Sequence, residues 1–142
     1  MSQMTDFLEN KLVDQVFRAR QWTAPTAIKL SLYTAAPGEA GGGTKVSGGS
    51  YAPVSITTAD SAFDATQGGN TGASSGTGGA TQNSAAATFP TPTANWGTIT
   101  HVSVDDQLDN ALLYGALTNS KTVNNGDPAP SFPIGALDVT FA

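Results

Sequence analysis

Residues 27–34 read AIKLSLYT, with Ile28, Leu30 and Leu32 alternating against Lys29, Ser31 and Tyr33. Successive side chains leave a pleated backbone in opposite directions, so a period of two predicts a strand with one buried face. Pro25 marks a turn ahead of it, and the run AAPGEAGGGTKVSGGS (35–50) behind it holds too much glycine for regular structure. Tyr51–Thr58 reads as a weaker strand, which Pro53 places at a sheet edge or at its own start.

The C-terminal half continues in the same manner. Asn83–Phe89 and Gly97–Val104 read as strands on either side of a PTPTANW connection. Ala111–Leu117 follows the acidic turn DDQLDN, and Lys121–Val123 runs into Asn124-Asn125-Gly126-Asp127, a tight-turn signal. Leu137, Val139 and Phe141 alternate at the end. Six to eight short strands with long turns predict a mainly β protein: an antiparallel β-sandwich or jelly-roll with long Gly-rich loops. The expected buried sheet residues are Ile28, Leu30, Leu32, Val102, Val104, Leu112, Tyr114, Leu137 and Val139.

Ahead of the first strand, residues 5–20 predict one N-terminal α-helix. Thr5 can cap it, Asp6 and Glu9 sit near its positive end, and Arg18 and Arg20 near its negative end. Leu8, Leu12 and Val16 recur every four residues with Val13 and Phe17 beside them, an apolar face about half the circumference wide. One part of that face can cover a sheet and another can meet a second subunit.

The 142 residues are the size of one domain, so residues 1–142 are read as a single unit: the helix, then a β-sandwich over 27–142 with a polar loop at about 59–81. Residues 65–88 contain only Ala, Thr, Gln, Gly, Asn and Ser, from which no core can be built. Ordering costs ~1–2 kcal/mol per residue, so such a tract is expected to lean on a neighbouring protein. Gly69, Asn70, Ser75 and Gly78 in the tract, with Leu8, Leu12, Val16 and Phe17 on the helix, are the candidate partner interface.

A net charge of -5 with only six scattered Lys and Arg argues against nucleic acid and against an anionic membrane surface. The absence of cysteine excludes disulfides and thiolate metal sites. The N-terminal MSQMTDFLENK lacks the basic start and apolar run of a signal peptide, and no apolar run approaches the ~18 residues of a membrane span. The expectation is assembly in a cytoplasm.

Catalytic chemistry is sparse. His101 is the single histidine, and Ser103, Asp105 and Asp106 near it do not form a nucleophile elbow. A satisfied structural histidine is the expectation, and the protein is expected not to be an enzyme. Asp105, Asp106 and Asp109 are weak candidates for a Ca²⁺ site, against the simpler reading of a solvated hairpin turn. The GG and GGG clusters lack the Lys-Ser or Lys-Thr of a phosphate loop, and no cofactor is expected. Trp22, Trp96, Tyr33, Tyr51 and Tyr114 could bind carbohydrate, although dense apolar surroundings favour packing for Trp96 and Tyr114.

Five runs in order, DFLENKLVDQVF, KLSLYTAAPGEAGGGTKVSGGSYAPV, NSAAATFPTPTANWGTITH, LLYGALTNSKTVNNGD and IGALDVTF, carry a resemblance. The chain resembles a family of small tailed-bacteriophage proteins labelled tail-fibre or virion structural proteins. After His101 it departs, reading VSVDDQLDN where the family has a bulkier aromatic strand and a Gly-rich turn. The resemblance implies a structural part of the virion, assembled in the host cytoplasm. Its expected partners are the phage major capsid protein or tail proteins, and it is expected to be a homo-oligomer. Decoration of the head as a cement protein is the first expectation and tail or tail-fibre attachment the alternative. A carbohydrate-binding receptor module is the alternative from another class.

Overall fold

In the computed structural model, which describes residues 3–69 and 72–141, the AIKLSLYT run forms an inner strand of the main sheet, Ala27–Ala35. In chain order the elements are β1 (Gln3–Met4), α1 (Asp6–Phe17), β2 (Ala27–Ala35), β3 (Thr44–Lys45) and β4 (Val54–Thr57). Then come β5 (Ala80–Gln82), β6 (Ala87–Thr88), β7 (Gly97–Asp106), β8 (Ala111–Val123), β9 (Ser131–Phe132) and β10 (Asp138–Thr140). The main sheet runs β1-β8-β7-β2-β3, with β4 also on β2, and every pairing is antiparallel.

Register carries the alternation of β2 across the sheet. Leu30 stands opposite Val104 and Leu32 opposite Val102, while Ser31 meets Ser103 and Tyr33 meets His101. Val104 in turn stands opposite Leu113. The apolar face so formed joins one core with Phe89, Trp96, Leu137 and Val139, which the two-stranded ribbons β6–β9 and β5–β10 and their connections supply. The arrangement is sandwich-like and not a closed barrel: one continuous sheet under a second layer of short ribbons. Of the expected core, Ile28 and Val104 are partly buried and the other seven residues are buried.

Several expected boundaries differ in the structure. The helix ends at Phe17 because Ala19 turns left-handed (φ 52°) and the Asp14 carbonyl takes the amides of both Arg18 and Arg20. Thr5, Arg18 and Arg20 therefore lie outside the helical turns, with Thr5 as the N-cap and Arg18 as the C-cap. Lys121–Val123 is the end of the same strand as Ala111–Leu117, with Leu117–Ser120 bulged out opposite Thr100 between Ile99↔Lys121 and His101↔Ala116. Phe141 lies beyond the last strand and is exposed.

The remaining two differences concern side chains that bond main chain. Asn83–Phe89 is not one strand, because Asn83 turns inward between β5 and β6. Its carboxamide donates to the Ala85 carbonyl (2.7 Å) and the Pro133 carbonyl (2.8 Å) and accepts from the Leu137 amide (2.8 Å). Its own carbonyl takes the Gly135 amide at 2.9 Å. Tyr51 likewise stands before β4 instead of within it. The edge of β2 is split between β4 at its start and β3 at its end, and the Leu32 amide falls in the gap. The Tyr51 hydroxyl accepts that amide at 2.7 Å, while its ring packs on Phe89 and edge-on against Trp96.

Asn83→Ala is expected to destabilise the fold by about 2–4 kcal/mol, because each buried group left unpaired costs ~1–3 kcal/mol. Urea unfolding of the purified variant measures it.

Burial pushes the Tyr51 phenol from 10.0 up to about 12. Its folded value lies above its unfolded one, so its contribution is complete below about pH 10 and fades as pH rises towards 12. Denaturation midpoints are expected to fall across that window, and to fall less steeply in Tyr51→Phe. At neutral pH that variant should lose ~1–3 kcal/mol for the orphaned Leu32 amide.

Candidate functional site

α1 is tied down at one end only. Thr5 opens it in an extended conformation (φ -94°, ψ 158°), its hydroxyl oxygen accepting the Leu8 amide. The same hydroxyl lies 2.6 Å from the Ala111 carbonyl and 3.1 Å from the Leu112 carbonyl, and the Thr5 amide donates to Leu112. The Asp6 amide donates to the Glu39 carbonyl in the β2–β3 loop. Leu8 is buried against the sheet, one turn past this anchor.

Beyond that turn the apolar side chains are left in solvent. Leu12 and Val13 are exposed, Val16 is 66% accessible and Phe17 81%. The chain leaving the helix folds back beside it, where the Trp22 amide donates to the Gln15 carboxamide (2.6 Å). Arg18 reaches Asp14 at 2.9 Å on the surface, and the Lys11 ammonium sits 5.3 Å over the Phe7 ring. Of the helical candidates, then, Leu8 belongs to the core, and Leu12, Val16 and Phe17 form a surface to which Val13 adds.

The polar tract carries bonds of its own. Gly69, Ser75 and Gly78 are exposed, and Asn70 lies outside the described residues. Part of the tract is held from within the chain. The Gln67 carboxamide bridges it, donating to the Ala73 carbonyl (3.0 Å) and accepting the Ser75 amide (2.7 Å). At its base Asp64 accepts the Ser84 hydroxyl and the Gln82 carboxamide, each at 2.7 Å, and these two bonds hold its carboxyl below the usual range.

The three aspartates of the acidic turn are not brought together around one point. Asp105 is 1% exposed and takes the Ser103 hydroxyl (2.5 Å), the Ser31 hydroxyl (2.7 Å) and the Lys45 ammonium (3.2 Å). Asp106 shapes the turn, accepting the amides of Leu108 and Asn110 and the Asn110 carboxamide. Asp109, at φ 66°, bonds the Lys29 ammonium at 2.8 Å, which lowers its pKa. Among the described residues no three His, Cys, Asp or Glu side chains gather as a metal site would require. The solvated-turn expectation fits Asp109 alone, since Asp105 and Asp106 are buried. Their burial left no signal in a sequence where DD beside a turn reads as surface.

His101 is half-buried with Nδ1 2.8 Å from the Thr100 hydroxyl, and Ser103 spends its own hydroxyl on Asp105. The aromatic candidates for sugar binding are used internally. Trp96 is buried and its indole N–H donates to the Gly49 carbonyl (2.9 Å), Tyr33 and Tyr114 are buried, and Tyr51 fills the edge gap. A groove of about 630 Å³ opens between β8 and the β9–β10 region, floored by core residues such as Leu32 and Val102 and rimmed by Asn119, Lys121 and Asp138. Among the described residues no helix is long and apolar enough to cross a membrane.

No curated protein sequence matches the chain at a significant level. A family of phage proteins does match it, over residues 3–140, a span that includes the whole sheet, both ribbons, α1 and the polar tract. By that match the chain belongs to the family described as podophage GP4 fiber I protein gp80.

Proposed function

We propose that this protein is a non-enzymatic structural subunit of the fibre apparatus of a tailed phage, built into the virion in the host cytoplasm. The observation that carries the reading is the match of nearly the entire chain to a phage fibre family. The chemistry agrees with it. The one histidine faces a threonine, the nearest serine is bonded to a buried carboxylate, and the aspartates stabilise a turn.

The surfaces suited to docking are the exposed apolar side chains of α1, the exposed residues of the glycine-rich segment between β2 and β4, and the exposed segments 67–69 and 72–79. Tail proteins are the partners this reading assigns. Capsid decoration, with the major capsid protein as partner, would draw on the same surfaces and differs from it by location in the particle.

Cryo-EM of purified virions, with the chain located by a bound antibody fragment, is expected to place it at the fibres of the tail vertex. Density repeated over the icosahedral shell instead would overturn the fibre reading in favour of cement.

A further inference from the structure

Asn125 is the one asparagine of the chain that precedes a glycine. That pair carries a chemistry of its own. The main-chain nitrogen that follows an asparagine can attack its carboxamide carbon, closing a succinimide ring and expelling ammonia. Water then opens the ring, leaving aspartate or, with the chain rerouted through the side chain, isoaspartate. Glycine obstructs the attack least, because it has no side chain and the freest backbone.

The fold holds the reacting atoms off this course. Asn124–Asp127 form a β-turn in which the Asp127 amide donates to the Asn124 carbonyl at 3.2 Å and Gly126 takes φ 83°. The Gly126 amide, whose nitrogen would be the nucleophile, donates to the Pro92 carbonyl at 3.0 Å. Attack requires that nitrogen to lose its proton and to turn towards the carboxamide, and the bond opposes both. Pro92 is fully buried, so the acceptor is fixed. Two further bonds pin the turn: the Asn125 amide donates to the Asn95 carboxamide (2.9 Å) and the Asn124 amide to the Asp127 carboxylate (2.8 Å). The Asn125 side chain itself is exposed, with water at hand for the second step.

We propose that Asn125 is a deamidation site that the fold keeps closed, converting only as fast as the turn lifts away from Pro92. Conversion adds a negative charge to a chain of net charge -5. Isoaspartate also inserts an extra main-chain carbon into a turn that is bonded on both sides. The modification therefore records opening of this turn, wherever in the virion the protein sits.

The folded protein and a synthetic peptide of residues 119–131 are incubated in the same mildly alkaline buffer, and mass spectrometry follows Asn125. The peptide is expected to deamidate there, and the folded protein at least about tenfold more slowly, since the reaction waits for local opening. Hydrogen exchange should find the Gly126 amide protected. Asn95→Ala removes a surface bond to the turn, so Gly126 exchange and Asn125 conversion should rise together, with circular dichroism unchanged. A folded protein that converts as fast as the peptide, or a Gly126 amide that exchanges freely, overturns the proposal. So does faster Gly126 exchange in Asn95→Ala without faster conversion, which would separate the reaction from the opening.

Discussion

Every buried main-chain amide and carbonyl must find a partner, because leaving one unpaired costs about as much as several good contacts supply. Among the described residues only β2, β7 and β8 are long, and the other seven strands have two to four residues each. Ladders of that length leave amides over. Side chains take them up: Asn83 for Leu137, Tyr51 for Leu32, Asp106 for Leu108 and Asn110. Carbonyls are treated likewise, with Trp96 on Gly49 and Thr5 on Ala111. Among the described residues no buried side-chain nitrogen or oxygen lacks a partner in return. The second layer owes its position to these few polar residues as much as to the core beneath it.

That division explains which parts of the fold the sequence revealed. The alternation in residues 27–34 located the strand and Leu30 and Leu32 are buried as it requires, but Ser31 and Tyr33 on the other face are buried too, so the strand is covered on both sides. The turn at Asn124–Asp127 was readable too, since Gly126 takes φ 83° there and the Asp127 carboxylate holds the Asn124 amide. Asn83 and Asp105 were not readable. A polar residue that bonds main chain from within the core looks, in one sequence, like a polar residue on a loop. The same holds for Tyr51, whose β-forming character pointed to a strand when its use is to fill the gap between two. On α1 the apolar face was visible, but which half of it the sheet would cover depended on where Thr5 fastened the helix.

The polar side of the main sheet shows what Asp105 adds. Ser31, Ser103 and Asp105 share that face, and a carboxylate buried alone there would be costly to ionise. Two hydroxyls and the Lys45 ammonium surround it, so charge and hydrogen bonds are supplied together. Lys45 comes from the short β3 at the edge of the sheet, and Lys29, which holds Asp109, comes from β2. The β7–β8 turn is thus cross-linked to the opposite edge through residues of the runs KLSLYT and TKV. The run VSVDDQLDN lies within the same network, so the acidic turn is held firmly against the sheet.

Stiffness in the sheet sets a contrast with α1. A helix of twelve residues is marginal by itself in water. Here the first turn borrows stability from the Thr5 and Leu8 contacts, and the last turns have only the surface Asp14–Arg18 pair and the returning chain at Trp22. The half that exposes Val16 and Phe17 is therefore also the half least supported by the rest of the chain. An apolar surface in that position is expensive to leave in solvent and easy to reshape on contact.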